Sequence, residues 1–317
     1  DANQLMSSLR SFKWLYLLPV LALTFVNYVL RYAKWHYYLR RLGIQVSHKD
    51  SSLVFFSGLS MAITPGKFGE LFKAVLLRDR ANVAETETAS VVIAERLTDF
   101  IALIILATFG VFSAQHGYVV LAISVIGTAC ALALVSSRRA ENLFLGIMER
   151  FSIGRRIAPK LRKMLRSIAS LTEAKPLLLM TTVSVVAWFC ECIGYYWILC
   201  GIPGTEPDLG TATFIYAFAT IFGAIAMLPG GLGVTEGSLI GLSHKVFTVA
   251  PGPLPATAAA MLIRFCTLWF AVLVGLIAYG MHRLFPSRTN GTPSNSIKPQ
   301  VSVDTCSSPE GESATNT

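Results

Sequence analysis

Long apolar runs separated by short polar stretches dominate this chain. Residues 14–30, 90–112, 118–135, 177–199 and 256–279 are each long enough, as helix, to cross the roughly 30 Å hydrocarbon core of a bilayer, which takes about 20 residues. Two further apolar runs stop at helix breakers. Residues 51–63 supply only about 13 residues, too few to cross unaided, before Pro65-Gly66, and residues 211–228 run into Pro229-Gly230-Gly231. Return arms follow at residues 68–77 and 233–247. This pattern predicts an all-α polytopic integral membrane protein of about five full transmembrane helices plus two re-entrant helical hairpins.

The two breaks echo each other. Thr64-Pro65-Gly66-Lys67-Phe68-Gly69-Glu70 and Leu228-Pro229-Gly230-Gly231-Leu232-Gly233-Val234-Thr235-Glu236 are both a PGxxG turn with a glutamate after it, and an arginine inside a later apolar run follows each, Arg96 and Arg264. Repeated broken helices in a membrane chain mark an inverted-repeat core whose turns meet near the bilayer centre. Pro65, Gly66, Gly69, Pro229, Gly230, Gly231 and Gly233 are read as residues that make the turns. Gly233, Gly237 and Gly241, four apart, form a stripe that lets another helix approach.

Composition agrees: 53% hydrophobic residues, 14% charged and a mean hydropathy of +0.57 exclude an ordinary soluble domain. The net charge of +9 sits in loops beside apolar runs and reports topology rather than nucleic-acid binding. Residues 137–176 are strongly basic and are placed in the cytoplasm, as are residues 31–50 and 65–89, while residues 114–117 and 201–210, without Lys or Arg, fall outside. The two hairpins then enter from opposite faces. Within the basic loop, Ile157, Leu161, Met164, Leu165, Ile168 and Leu171 recur at helical spacing, as in a helix lying on anionic lipid or packed on the bundle. Aromatic clusters at Tyr32, Trp35, Tyr37 and Tyr38, and at Tyr195, Tyr196 and Trp197, read as interfacial anchors. Residues 1–285 form the transmembrane domain, and residues 286–317, polar and rich in Ser, Thr, Pro, Asn and Gly, a disordered cytoplasmic tail. Within that tail the sequon Asn290-Gly291-Thr292 is a chance match. Asp1 stands where an initiator Met is expected, so the numbering is expected to start inside a longer protein, and a topology that leaves the first residues outside fits a span lost before Asp1.

Neither the cysteines nor the histidines have metal-ligand spacing, and no cofactor motif is present. The chemistry lies in charges inside apolar runs, which need a partner, a cavity or a function. These are Glu95, Arg96 and Asp99 at the head of residues 90–112, Glu191 within 177–199, and Arg264 within 256–279. Lys67, Glu70 and Glu236 join them at the turns, the two glutamates as candidate helix caps or ligand groups. Exposed backbone donors at the turns, with Arg96, Arg264 and Lys67, make a positively charged central cavity suited to a phosphate head group.

PGKFGELFKAVLLR, AERLTDF, LPGGLGVTEGSLIGL and the downstream IRF, in that order, resemble the lysylphosphatidylglycerol synthase transmembrane, or flippase-like, family. The resemblance covers residues 14–279. It implies a helical membrane domain with re-entrant helices that moves lipids between leaflets, here without the soluble synthase domain of the multidomain members, so the family name is not carried over as an enzymatic activity. The expectation is a flippase or transporter for an anionic or phosphate-bearing lipid in a bacterial cytoplasmic membrane, with membrane lipids as partners. The alternatives are a membrane enzyme using Glu95 and Asp99 as acid and base, and an accessory subunit for a lipid-modifying enzyme.

Overall fold

The computed structural model describes residues 9–64, 69, 71–111 and 152–284. Pro65, Gly66, Lys67 and Glu70 of the first turn, the apolar run 118–135, residues 137–151 of the basic loop and the tail 286–317 lie outside the described residues. All regular structure among the described residues is helical: α1 (Leu17–Arg41), α2 (His48–Gly58), α3 (Phe72–Ala81), α4 (Glu85–Val111), α5 (Ser152–Leu171), α6 (Ala174–Gly201), α7 (Leu209–Ile225), α8 (Val234–Gly241), α9 (Pro253–Arg264) and α10 (Phe270–Leu284). Among the described residues, three helical stretches are long and apolar enough to cross a membrane: Trp14–Arg41, Ala174–Gly201 and Pro253–Leu284. The last is α9 and α10 joined through a π-helical turn, Phe265–Trp269.

The expected end of the first span at residue 30 is corrected: α1 runs on to Arg41, so the first part of residues 31–50 is helix and not loop. The reason is visible in the helical stripe Thr24, Asn27, Tyr28, Arg31, Lys34, Trp35 and Tyr38, all of which are buried. Polar residues at this spacing face the bundle, where other helices supply their partners. Trp35, Tyr38 and Tyr195 therefore belong to the core and are not interfacial anchors. The basic segment is likewise partly reassigned. Its helix α5 packs on α4, with Ile168 and Leu171 buried, Ser90 Oγ donating to the Met164 carbonyl at 3.2 Å and Lys163 paired with Glu87 at 2.6 Å.

Two halves are evident. α1, α2, α3 and α4 form the first, and α6, α7, α8 and α9–α10 the second. The leading helices α1 and α6 pack antiparallel: Lys13 N–H donates to the Gly201 carbonyl at one end (2.9 Å), and Arg41 meets Glu173 at the other (2.5 Å). Midway, Asn27 Nδ2 donates to the Ala187 carbonyl at 2.8 Å. Two further contacts are reciprocal. α4 of the first half packs on α7 of the second, and α10 of the second packs on α2 of the first.

Local chemistry repeats too. Ser47 caps α2 by accepting the Asp50 N–H at 3.1 Å, and Asp208 caps α7 by accepting the Thr211 N–H at 2.8 Å. Left-handed residues follow α1 and α6 (Gly43, Gly204) and end α3 and the α8 segment (Asn82, Thr248).

Close backbone approaches occur at unexpected glycines. A Cβ on Gly275 of α10 would fall on the backbone of Leu59 and Ser60, just past α2. At Gly233, Gly237 and Gly241 it would meet nothing within 4 Å among the described residues, none of which packs on the anticipated stripe.

Candidate functional site

The second turn fixes the site's first wall. Pro229 opens a 3-10 turn, and Gly230, Gly231 and Gly233 take φ of 59°, 68° and 83°, where a side chain would be strained. Gly231 sits against Gly223 of α7, where its Cβ would lie 3.3 Å from the Gly223 Cα. Glu236 stands three residues after Gly233 and its Oε2 accepts the Gly233 N–H at 2.6 Å, closing the start of α8. Its other oxygen takes Arg264 Nε at 2.6 Å, and Arg264 also donates to the Gly230 carbonyl. Glu236 is thus both the cap and the arginine's partner, and Arg264 staples the turn to α9.

The opposite wall is built by α1 and α4. Asp99 is nearly fully buried, with Oδ1 held by the ammonium of Lys34 and by Ser184 Oγ at 2.9 Å. Lys34 also reaches Ser184 Oγ at 2.8 Å, Thr98 Oγ1 at 3.3 Å and the Glu95 carbonyl at 3.3 Å. Asp99 Oδ2 faces Arg96 at 3.3 Å and Arg31 at 3.9 Å. Behind them Glu95 pairs with Lys73 at 3.4 Å, and the Lys73 ammonium lies 4.5 Å from the Phe55 ring centroid and 4.9 Å from that of Trp35. Both members of that pair are buried, and cation–aromatic contact replaces part of the lost hydration.

Between these walls lies a cavity of about 540 Å³. Arg31, Arg96, Asp99, Glu191, Gly230, Gly231 and Arg264 all line it. Glu191, from α6, accepts the Tyr216 hydroxyl at 2.6 Å. Tyr28 closes the floor by donating to the Thr267 carbonyl at 2.6 Å, inside the π-helical turn that follows Arg264.

Of the residues singled out from the sequence, Arg96, Asp99, Glu191, Arg264, Gly230 and Gly231 meet at the cavity. Glu95 is buried behind it, while Glu236, at one remove, reaches it through Arg264. Gly69 is held by its N–H to Thr64 Oγ1 at 2.8 Å. Lys67 and Glu70 lie outside the described residues. Sequence reasoning missed Arg31, Lys34 and Lys73 as site groups, and the signal available was the helical phase of Arg31 and Lys34 with Asn27 and Tyr38.

A UPF0104 membrane protein of Methanothermobacter thermautotrophicus (strain Delta H) is 25% identical over 303 residues, which is 87% of this chain and 88% of that protein. A second UPF0104 membrane protein of the same organism is 29% identical over 143 residues, 45% of this chain and 39% of the relative. The family model described as lysylphosphatidylglycerol synthase TM region matches residues 1–275, and the chain belongs to that family of membrane proteins.

Proposed function

We propose that this chain is a lipid transporter that takes the anionic or phosphate-bearing head of a lipid into the cavity and passes it between leaflets. The observation that carries this reading is the cavity's gradient of polarity. Its charged lining is buried or partly buried, with Arg31, Asp99 and Glu191 at 8%, 3% and 5% exposure and the Arg96 and Arg264 side chains at 27% and 14%, whereas its most exposed lining is apolar, with Met227 at 59% and Leu228 at 43%. An amphiphile is the ligand whose own polarity matches: the head meets arginines in a low-dielectric interior, and the chains leave across the apolar rim.

Movement between leaflets requires access from both sides, and the proposed topology supplies it. The antiparallel α1 and α6, the reciprocal packing of α4 on α7 and α10 on α2, and the matched caps support two helix–turn–helix units that enter the bilayer from opposite faces. Rocking of one half against the other would expose the cavity alternately.

Reconstitution into unilamellar vesicles tests the proposal. With a fluorescent phospholipid in both leaflets and an impermeant quencher outside, the protein should bring the inner-leaflet pool to the quencher at least about tenfold faster than protein-free vesicles, equivalent to lowering a barrier by about 1.4 kcal/mol. Arg96→Ala should slow it. Quenching at the protein-free rate for every phospholipid and polyprenyl-phosphate lipid tried would sink the transporter reading.

A further inference from the structure

We propose that α5 is a docking surface for anionic phospholipid head groups: its cationic face lies in the head-group layer of the leaflet it borders and gathers negatively charged lipids beside the protein. The inference stands on α5 and on insertion in a membrane, and is independent of what the cavity carries.

Charge is segregated along this helix. Its sequence carries Arg155, Arg156, Lys160, Arg162, Lys163 and Arg166 and neither Asp nor Glu. Ile168 and Leu171 are buried, and Leu161, Met164 and Leu165 partly so, where the helix packs on α4. Lys160, Arg162, Lys163 and Arg166 are exposed. A shallow depression of about 420 Å³ runs along the face turned from α4, lined among the described residues by Pro159, Arg162, Lys163, Arg166, Ser167 and Ser170. Guanidinium, ammonium and hydroxyl donors are the groups from which a phosphodiester accepts hydrogen bonds. An interfacial amphipathic helix ordinarily sinks its apolar face into lipid. Here α4 takes that face, so attraction to the membrane comes from charge and is sensitive to salt.

The level of α5 in the molecule identifies the occupant. Near the start of α4, Lys163 pairs with Glu87 at 2.6 Å and the Met164 carbonyl accepts Ser90 Oγ at 3.2 Å. At the other end, Arg41, the last residue of α1, donates from Nε to the Ser170 carbonyl at 3.4 Å and pairs with Glu173 at 2.5 Å. Only about 10 Å of helix separates Lys163 from Ser170, so α5 lies across the neighbouring ends of α1 and α4. α6 then begins at Ala174, and Leu178, 72% exposed, is four residues on, about 6 Å along its axis. An apolar side chain so exposed on a span faces hydrocarbon, and the head-group layer beyond the hydrocarbon is roughly 5–8 Å deep on each side. The last turn of α5 therefore sits among the head groups. A soluble acidic partner has to approach from water, whereas lipid phosphates already occupy this level.

Local lipid composition beside α5 is the test. The full chain, in a background without the native cysteines, would carry a bimane fluorophore on Ala169→Cys, an exposed position of α5. It would be reconstituted into phosphatidylcholine vesicles containing a minor share of doxyl-labelled phosphatidylglycerol or of phosphatidylcholine labelled at the same tail position. At low salt the labelled phosphatidylglycerol should quench at least about threefold more strongly than the labelled phosphatidylcholine. At about 1 M salt, where the screening length is about 3 Å, the ratio should fall towards one. Arg162→Gln with Arg166→Gln should lower the low-salt ratio by about half, and Arg162→Glu with Arg166→Glu should bring it to about one. Arg162→Lys with Arg166→Lys keeps the charge and should keep the ratio. If the glutamate variant fails to fold, the glutamine variant decides alone. Arg264→Gln, in the cavity, should leave the ratio unchanged, which separates this surface from the cavity. Equal quenching by the two lipids at low salt, a ratio indifferent to salt, or a glutamine variant with the wild-type ratio would overturn the proposal. A bimane quenched by neither lipid would do the same, placing α5 in water with an acidic soluble partner as its occupant. Loss of transbilayer movement with the preference intact would sink the transporter reading alone.

Discussion

Lys34 and Asp99 set the energetics of the site at the level of single residues. Each is removed from water, a cost of several kcal/mol per ion that their mutual attraction and the hydrogen bonds from Ser184 and to Thr98 offset. Lys34→Met deletes one partner only and should destabilise the fold by about 3–5 kcal/mol, read as a loss of thermal or denaturant resistance in detergent. Arg264 and Glu236 make a different kind of pair, since both are partly exposed and their contacts close a turn of left-handed glycines. Arg264→Gln and Glu236→Gln should each loosen that turn, and in a double-mutant cycle the two should couple by about 1 kcal/mol or more. Simple additivity would mean that the arginine does not hold the turn. The sequence already singled out Arg96, Asp99, Glu191 and Arg264, because a charge within an apolar run is conspicuous. Lys34 escaped because a run of cations and aromatics lowers local hydropathy and mimics a span's end. Only the carboxylate of Asp99, about 65 positions away in the chain, makes its burial tolerable, and a one-dimensional pattern cannot display such a partner.

At the scale of elements, the glycines and the caps divide packing from propensity. Gly275→Ala drives a methyl into the backbone of residues 59 and 60 and should destabilise by about 1–3 kcal/mol, since a backbone cannot give way as a flexible side chain can. Gly237→Ala, within α8 and with no described residue within 4 Å of the added methyl, should instead stabilise by about 0.5–1 kcal/mol through helix propensity. Gly275 makes a close approach with no glycine four residues from it, while the four-residue stripe at 233, 237 and 241 makes none among the described residues: sequence shows where an approach is allowed and not which helix makes it. The breaks themselves were legible because proline and left-handed glycine leave few alternatives. Asp208 gives the element-scale test of electrostatics. The backbone N–H of Thr211, at the start of α7, holds its carboxyl below the usual carboxylate range. The cap's contribution is therefore complete above the ordinary pKa and is lost as pH falls through the lowered one. Asp208→Ala should cost about 1 kcal/mol at neutral pH, with the difference from wild type shrinking in strong acid.

For the whole molecule, the decisive property is the relation between halves. If the second half is the first turned over in the membrane, the connections must alternate. The link from α1 to α2 and the link from α3 to α4 share one face, and the links from α6 to α7 and from α8 to α9 share the other. The antiparallel α1 and α6 demand this arrangement once both cross the bilayer, because the ends that meet, Arg41 with Glu173 and Lys13 with Gly201, fix which connections are neighbours. Single cysteines placed at exposed positions in these links, Gln45, Ala84, Glu206 and Pro251, in a background without the native cysteines, convert the geometry into a labelling pattern. In sealed vesicles of one orientation, an impermeant maleimide should modify the first two or the last two, never one from each pair, and inverting the vesicles should exchange the sets. Basic residues flank the first pair, with Arg40, Arg41, Arg78 and Arg80 nearby, so Gln45 and Ala84 should be the cytoplasmic pair. Labelling of Gln45 together with Glu206 would make the halves parallel. An anion site shared between them could then open to one leaflet only, and the alternating-access reading would fall with the topology.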